Sequence, residues 1–152
     1  MDFFSHVAWA YILFPHHDPH LFEVLLFSVL PDILFVGAAL LYSVNLFART
    51  RRIEREKAFP FVRTMYRVAH SVFTAASLFV ILSLVTGGFY YPVLAMVLHI
   101  MLDLYTHRGS PVEPQMPLYP LARPSVRGWI WWRHPVFLAA NWALIALFFF
   151  WH

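Results

Sequence analysis

Apolar residues fall in long blocks separated by short polar turns. The first block, residues 3–14, ends at Pro15, and His16-His17-Asp18-Pro19-His20 forms a polar turn. Residues 21–48 follow, interrupted only by Pro31-Asp32. A proline inside a helix removes a hydrogen bond and bends it, so two helical pieces or one bent helix are expected there. Residues 68–86 run to the Gly87-Gly88 turn, residues 89–105 carry His99 and Asp103, and residues 135–151 are apolar apart from Asn141. These blocks predict an all-α polytopic membrane bundle of four to five helical segments in a single domain, 1–152. The expected segments are about 3–14, 21–48, 64–86, 89–107 and 131–151. The first block is short of the roughly 20 residues that a crossing requires, so the first hairpin is expected to be re-entrant. No basic residue precedes it and no small-residue cleavage site closes it, so it is not expected to be a signal peptide.

Composition supports the membrane reading. The chain of 152 residues is 61% hydrophobic and 12% charged, against about 25% charged in soluble domains. That excludes disorder and leaves a water-soluble all-helical core protein as the lesser alternative, because so few residues can furnish a polar helix face. The absence of cysteine excludes disulfides, thiolate metal sites and a cysteine nucleophile.

Charge then orients the bundle. Arg49, Arg51, Arg52, Arg55, Lys57, Arg63 and Arg67 stand against Glu54 and Glu56. Positive charge marks the cytoplasmic side, which places a basic loop, 49–63, and the whole stretch 49–67 there. Arg108, Arg123, Arg127 and Arg133 fall on the same side two crossings later, in the stretch 106–133, beside Trp129, Trp131 and Trp132 as an interfacial belt would be. The expected location is the plasma membrane, multi-pass, with membrane lipid as neighbour and no nucleic-acid partner.

Ionisable residues inside apolar segments are costly and mark functional sites. They are His6, Asp32, His70, His99 and Asp103; Glu23 lies near the end of its block. His99 and Asp103 are spaced i, i+4 on one helix face, and His107 extends it. Such an arm suits a metal or a hydrogen-bonded pair joining helices. Depth pairs the residues further. His70 lies 17 residues before Gly87 and Asp103 lies 15 after Gly88, each about 23–26 Å from the turn at roughly 1.5 Å per residue. His6 and Asp32 match similarly about the 15–20 turn.

Three histidines and two aspartates can hold one or two divalent metal ions, zinc first among them, with Asp32 and Asp103 as the catalytic carboxylates and His107 as a sixth ligand or an interfacial hydrogen-bonder. Ser71 is expected to support or pack, not to attack. The His16–His20 turn is a solvated loop or a lesser metal site. Pro111, Pro114, Pro117 and Pro120 recur every third residue in the loop 108–128, as in polyproline II. That loop is a stiff linker or a cover over the site's cytoplasmic mouth, with Arg108, Arg123 and Arg127 offering phosphate contacts or touching lipid headgroups.

The order Ser5-His6, Leu30-Pro31-Asp32, His70-Ser71, His99-x-x-x-Asp103, Thr106-His107 resembles the family of small integral-membrane metal-dependent hydrolases over about residues 1–124. It also resembles the ligand order of zinc-dependent phospholipase C and the single-strand nucleases. The resemblance implies His6, Asp32, His70, His99 and Asp103 as ligands, with Asp103 bridging. A second His-x-x-x-Asp arm is absent, which implies one or two metals rather than three. The expected activity is hydrolysis of a phosphoester in a lipid or lipid-linked substrate. The alternatives are a non-catalytic membrane scaffold or complex subunit with a structural metal or polar site, and a metal or proton transporter.

Overall fold

The computed structural model describes residues 1–50, 55–109, 114–122 and 124–151, without the side chains of 46–59. Every helix and strand element among them is helical: α1 (Phe3–Leu13), α2 (Leu21–Thr50), α3 (Arg55–Ala69), α4 (Val72–Thr86), a 3₁₀ turn (Tyr91–Val93), α5 (Leu94–Thr106) and α6 (Pro135–Trp151). Asp2 caps α1 by accepting from the Ser5 amide at 3.0 Å. Gly87, at φ 72°, closes α4 in the left-handed conformation that glycine adopts without strain.

The long α2 is the axis of the molecule and packs against α1, α3 and α5. It passes through Pro31 as one helix. Its buried stripe, Val24, Phe27, Ser28 and Pro31, follows the helical period. Val24 and Phe27 meet Ala10, Ala75, Val93, Ala95, Met96 and Ile100 in the apolar core. One layer further along, the interior turns polar, with His6, Ser28, His70, His99 and Asp103 all buried.

Three expected boundaries are corrected. The segment 64–86 is not one helix: it breaks at His70-Ser71, and the pieces on either side are bent by 51°. Ser71 causes the break by adopting an extended backbone and capping α4, its hydroxyl accepting from the Phe73 amide at 3.1 Å. The basic loop 49–63 is largely helical where described, since α2 runs to Thr50 and α3 begins at Arg55. Arg, Glu, Lys and Ala favour helix over loop. Residues 51–54 lie outside the described residues. The last helix starts at Pro135, not 131, because Trp131 pairs in a β-bridge with His107 and proline suits the first helical position.

Among the described residues one helix, Leu21–Asn45, is long and apolar enough to cross a membrane, or two such spans if the bent pair Pro60–Ala69 and Val72–Thr86 counts as one. Phe3–Leu13, Tyr91–Thr106 and Pro135–Trp151 are apolar but shorter. The exterior is nonetheless greasy: Phe22, Leu41, Leu84, Val85, Phe150 and Trp151 are among many large apolar side chains left exposed.

The outlying α6 packs against α1, where Trp9 Nε1 donates to Asn141 Oδ1 at 3.0 Å and Asn141 Nδ2 donates to Ser5 Oγ at 2.8 Å. The proline-rich loop is tied down rather than free. The Val72 amide donates to the Pro117 carbonyl at 2.8 Å, and Gln115 and Val126 exchange backbone bonds at 3.0 and 2.9 Å. The segment 128–132 docks on the end of α5, with Trp132 N donating to Thr106 O at 2.8 Å. Gly128 makes that approach feasible, since a Cβ there would meet the Arg108 nitrogen at 2.5 Å. Gly128→Ala is therefore expected to lower the thermal unfolding midpoint of the detergent-solubilised protein, at a cost of about 1–3 kcal/mol. Gly37→Ala, inside α2 with nothing within 4 Å of the added carbon, is expected to raise it slightly, by about 0.5–1 kcal/mol. Differential scanning fluorimetry of the two variants checks the opposite signs.

Candidate metal centre

Four chain segments deliver the site. Asp32 follows Pro31 on α2, His70 sits at the α3–α4 break, and His99 and Asp103 share one face of α5. One ligand atom from each of these four residues lies within 4.8 Å of the others. His6, from α1, stacks on the His99 ring with centroids 3.7 Å apart and interplanar angle 24°.

Backbone carbonyls set the histidine tautomers. His99 Nδ1 donates to the Ser28 carbonyl at 2.7 Å, and His70 Nδ1 donates to the Tyr66 carbonyl at 3.1 Å. With the ring proton on Nδ1, each Nε2 presents a bare lone pair. The two Nε2 atoms face each other at 3.2 Å. They also face carboxylate oxygens: His70 at 3.5 Å from Asp32 Oδ1 and 3.6 Å from Asp103 Oδ2, His99 at 3.9 and 3.5 Å from the same atoms. Four acceptors therefore converge with no donor between them among the described residues, and of the two carboxylates only Asp103 has a counter-charge, the Met1 α-ammonium at its other oxygen, so in an apolar bundle the group calls for more.

A metal ion satisfies both needs. A tetrahedral ion with bonds of about 2.0–2.1 Å has ligand–ligand edges of roughly 3.3–3.4 Å. The five edges between histidine and its neighbours measure 3.2–3.9 Å. The group can hold a metal ion.

Asp103 extends the cluster through its other oxygen. Oδ1 lies 3.0 Å from His6 Nε2 and 3.4 Å from His107 Nδ1, and also meets the Met1 α-ammonium. His107 Nδ1 is shared with the Asp103 carbonyl at 3.2 Å. That carbonyl also accepts from the buried Gln115 side chain at 2.8 Å. Of the four central residues, Asp32 alone keeps solvent access, its side chain 24% exposed against 0–3% for the others.

The six residues expected as ligands thus fall in two tiers around Asp103. Asp32, His70, His99 and Asp103 share one point, while His6 and His107 flank its far oxygen. The phosphate contacts are more dispersed. Arg108 is exposed, 3.5 Å from the Trp129 carbonyl, and lines an open cavity of about 570 Å³ with Trp129, Trp131 and His134. Arg127 is exposed, and Arg123 lies outside the described residues. In the 15–20 turn, His16 stacks on Tyr11 and His20 faces Glu23 at 3.4 Å. Ser71 is fully buried, its hydroxyl against the Pro117 and Tyr119 carbonyls, in a capping and strapping role.

Two features escaped the sequence reading. Gln115 is one, an isolated polar residue in a proline-rich loop with no periodic signal. Tyr66 is the other: its ring stacks on His70 at 3.9 Å and 18°, and its hydroxyl is buried without a hydrogen-bond partner. A buried donor left unpaired costs about 1–3 kcal/mol. The recurrence of Arg63, Tyr66, Arg67 and His70 on one stripe of α3 was the available signal.

Compared with known proteins, the chain matches no family model, no curated protein and no solved structure. Protein purified in metal-replete medium is expected to carry a divalent ion. His70→Ala and His99→Ala are expected to abolish its retention, and His6→Phe to weaken affinity about 10–100-fold, as for groups that orient a ligand. Elemental analysis and chelator competition check both.

Proposed function

We propose that the chain is a membrane-embedded metal-dependent hydrolase, with zinc as the ion and a phosphoester of a lipid or lipid-linked molecule as the substrate. The observation that carries this reading is the division of Asp103 between two sets of neighbours, the His70 and His99 rings, which also face Asp32, at Oδ2, and His6, His107 and the Met1 α-ammonium at Oδ1. A purely structural site needs four donors; beyond the four that share one point, His6 and the Met1 α-ammonium stand at Asp103 Oδ1 and His107 at its carbonyl, polar groups that a lone structural ion would not need.

When bound, zinc supplies Lewis acidity and brings the pKa of water near neutral. The residues divide the remaining work. His70, His99 and Asp103 would hold the ion from the buried side, with the Ser28 and Tyr66 carbonyls fixing both rings. Asp32, on the open side, receives the proton of the attacking water on a carboxylate oxygen. Asp103 keeps the two donor sets in register. The loop strapped across Ser71 and Asp103 through Pro117 and Gln115 limits water on the cytoplasmic side.

The exposed apolar exterior supports membrane embedding, since soluble monomers rarely leave large contiguous apolar patches exposed. In this reading the short helices complete a multi-pass bundle with the arginine-rich stretches 49–67 and 106–133 on the cytoplasmic side. A lipid substrate explains why the centre is set among apolar helices.

One observation favours a second reading. Asp32, His70, His99 and Asp103 alone can complete a tetrahedral shell, which is the mark of a structural ion. Asp32→Asn separates the two. For an enzyme, turnover across a panel of phospholipids and a chromogenic phosphodiester is expected to fall about 10²–10⁴-fold, the worth of a general base, with metal content retained. Metal-loaded wild type that turns over none of the panel leaves the structural reading standing.

A further inference from the structure

The unexplained polarity nearest the centre lies on α3. Arg63, Tyr66, Arg67 and His70 recur at i, i+3, i+4 and i+7 and share one stripe of the helix. The stripe leads from the basic stretch of the chain to a ligand of the metal centre. Tyr66 is held firmly there. Its ring stacks on His70, lies 6.2 Å from the His107 ring and meets Phe35 edge-on at 5.4 Å. The residue is 3% exposed.

Tyr66 and its neighbour each carry a buried donor with nothing to receive it: the Tyr66 hydroxyl and Arg67 Nε have no hydrogen-bond partner. Buried polar groups are nearly always paired, so two orphans on the stripe that carries His70 ask for an acceptor. The carboxylates whose side chains are described are committed elsewhere. Asp2 serves Ser5, Asp18 the His20 amide, Glu23 the His20 ring, and Asp32 and Asp103 the histidine cluster. The missing acceptor must offer oxygens to a hydroxyl and to a guanidinium together. A phosphate group does so, and arginine is suited to it by its planar array of donors.

We infer that the Tyr66–Arg67 stripe of α3 is the anion-receiving face of the centre, where the Tyr66 hydroxyl and the Arg67 guanidinium donate to the non-bridging oxygens of a phosphate group beside His70. This rests on the metal-dependent phosphoester reading above. It assigns substrate recognition to α3 rather than to Arg108 and Arg127, which lie exposed. Tyr66 also orients the ligand His70 by stacking, so the same residue links the recognition of the anion to the geometry of the ion.

The test uses the full chain, zinc-loaded, in a maltoside detergent that carries no phosphate, titrated with inorganic phosphate by calorimetry. Wild type is expected to bind. Tyr66→Phe and Arg67→Gln are each expected to weaken binding about 10–100-fold, the worth of a hydrogen bond to a charged group, with zinc per chain unchanged. Arg67→Lys is expected to recover part of the loss, which a merely structural role would not predict. A second arm adds phosphatidic acid to the micelles. A fall in the apparent affinity for inorganic phosphate identifies a lipid headgroup as the occupant, and an unchanged value identifies the free anion; both uphold the face. Zinc-loaded wild type that binds no phosphate, or variants that keep zinc and full phosphate affinity, overturn the α3 face alone. Wild type that retains no zinc overturns the metal centre, and the inference with it.

Discussion

Asp103 is a carboxylate sealed inside a bundle of apolar helices, and the rest of the structure is arranged around that fact. It is 1% exposed, in surroundings where an uncompensated charge would not persist. Each oxygen has its own set of partners. Oδ2 faces His70 and His99, and Oδ1 faces His6 and His107. Its backbone carbonyl accepts from Gln115. Through these contacts one residue ties together α1, α5, the α3–α4 break and the proline-rich strap, while α2 adds Asp32 and the Ser28 carbonyl.

The two orders of the molecule, a greasy outside and a polar centre, are therefore the same design seen from two directions. Many large apolar side chains point outward because the interior of so small a bundle is shared between a short apolar core, Val24, Phe27, Met96 and Ile100 among it, and the histidine–aspartate cluster. Ala10, Ala75 and Ala95 let helices approach closely. In the next layer histidine rings and carboxylates replace aliphatic packing. The stacked rings of His6 on His99 and Tyr66 on His70 fill space as apolar side chains would, and leave their nitrogens aimed inward.

Much of this was legible in the chain. Ionisable residues are conspicuous within long apolar blocks, and His6, Asp32, His70, His99 and Asp103 do come together, but across the hairpins as well, His6 beside Asp103 and His70 beside Asp32, where depth from the turns matches His6 with Asp32 and His70 with Asp103. The His99–Asp103 face followed from the helical period alone. The break at His70-Ser71 did not, because Val68–Thr86 reads as one apolar run and a single serine does not announce which of its roles it will play. Its hydroxyl accepts from the Phe73 amide and donates to the Pro117 and Tyr119 carbonyls of the strap, partners distant in sequence that no local pattern announces. The basic stretch 49–63 reads as a loop from its charge, although its composition favours helix, and that places Arg63 outside the segment that holds Tyr66, Arg67 and His70. Gln115 was invisible for a different reason. Its partner is a carbonyl 12 residues away, and backbone acceptors leave no mark in a sequence.

The scatter of the ligands along the chain has a consequence for how the molecule comes together. His6 and Asp103 are 97 residues apart, and His99 reaches a carbonyl 71 residues away. No pair of neighbouring helices holds the whole cluster, so local hairpins can form and still lack it. Closing such distant contacts carries a chain-entropy cost that local contacts avoid. An ion held by that group would be held by the finished topology as a whole, and losing it would be expected to loosen α2, α5 and the α3–α4 break together rather than fray a single edge.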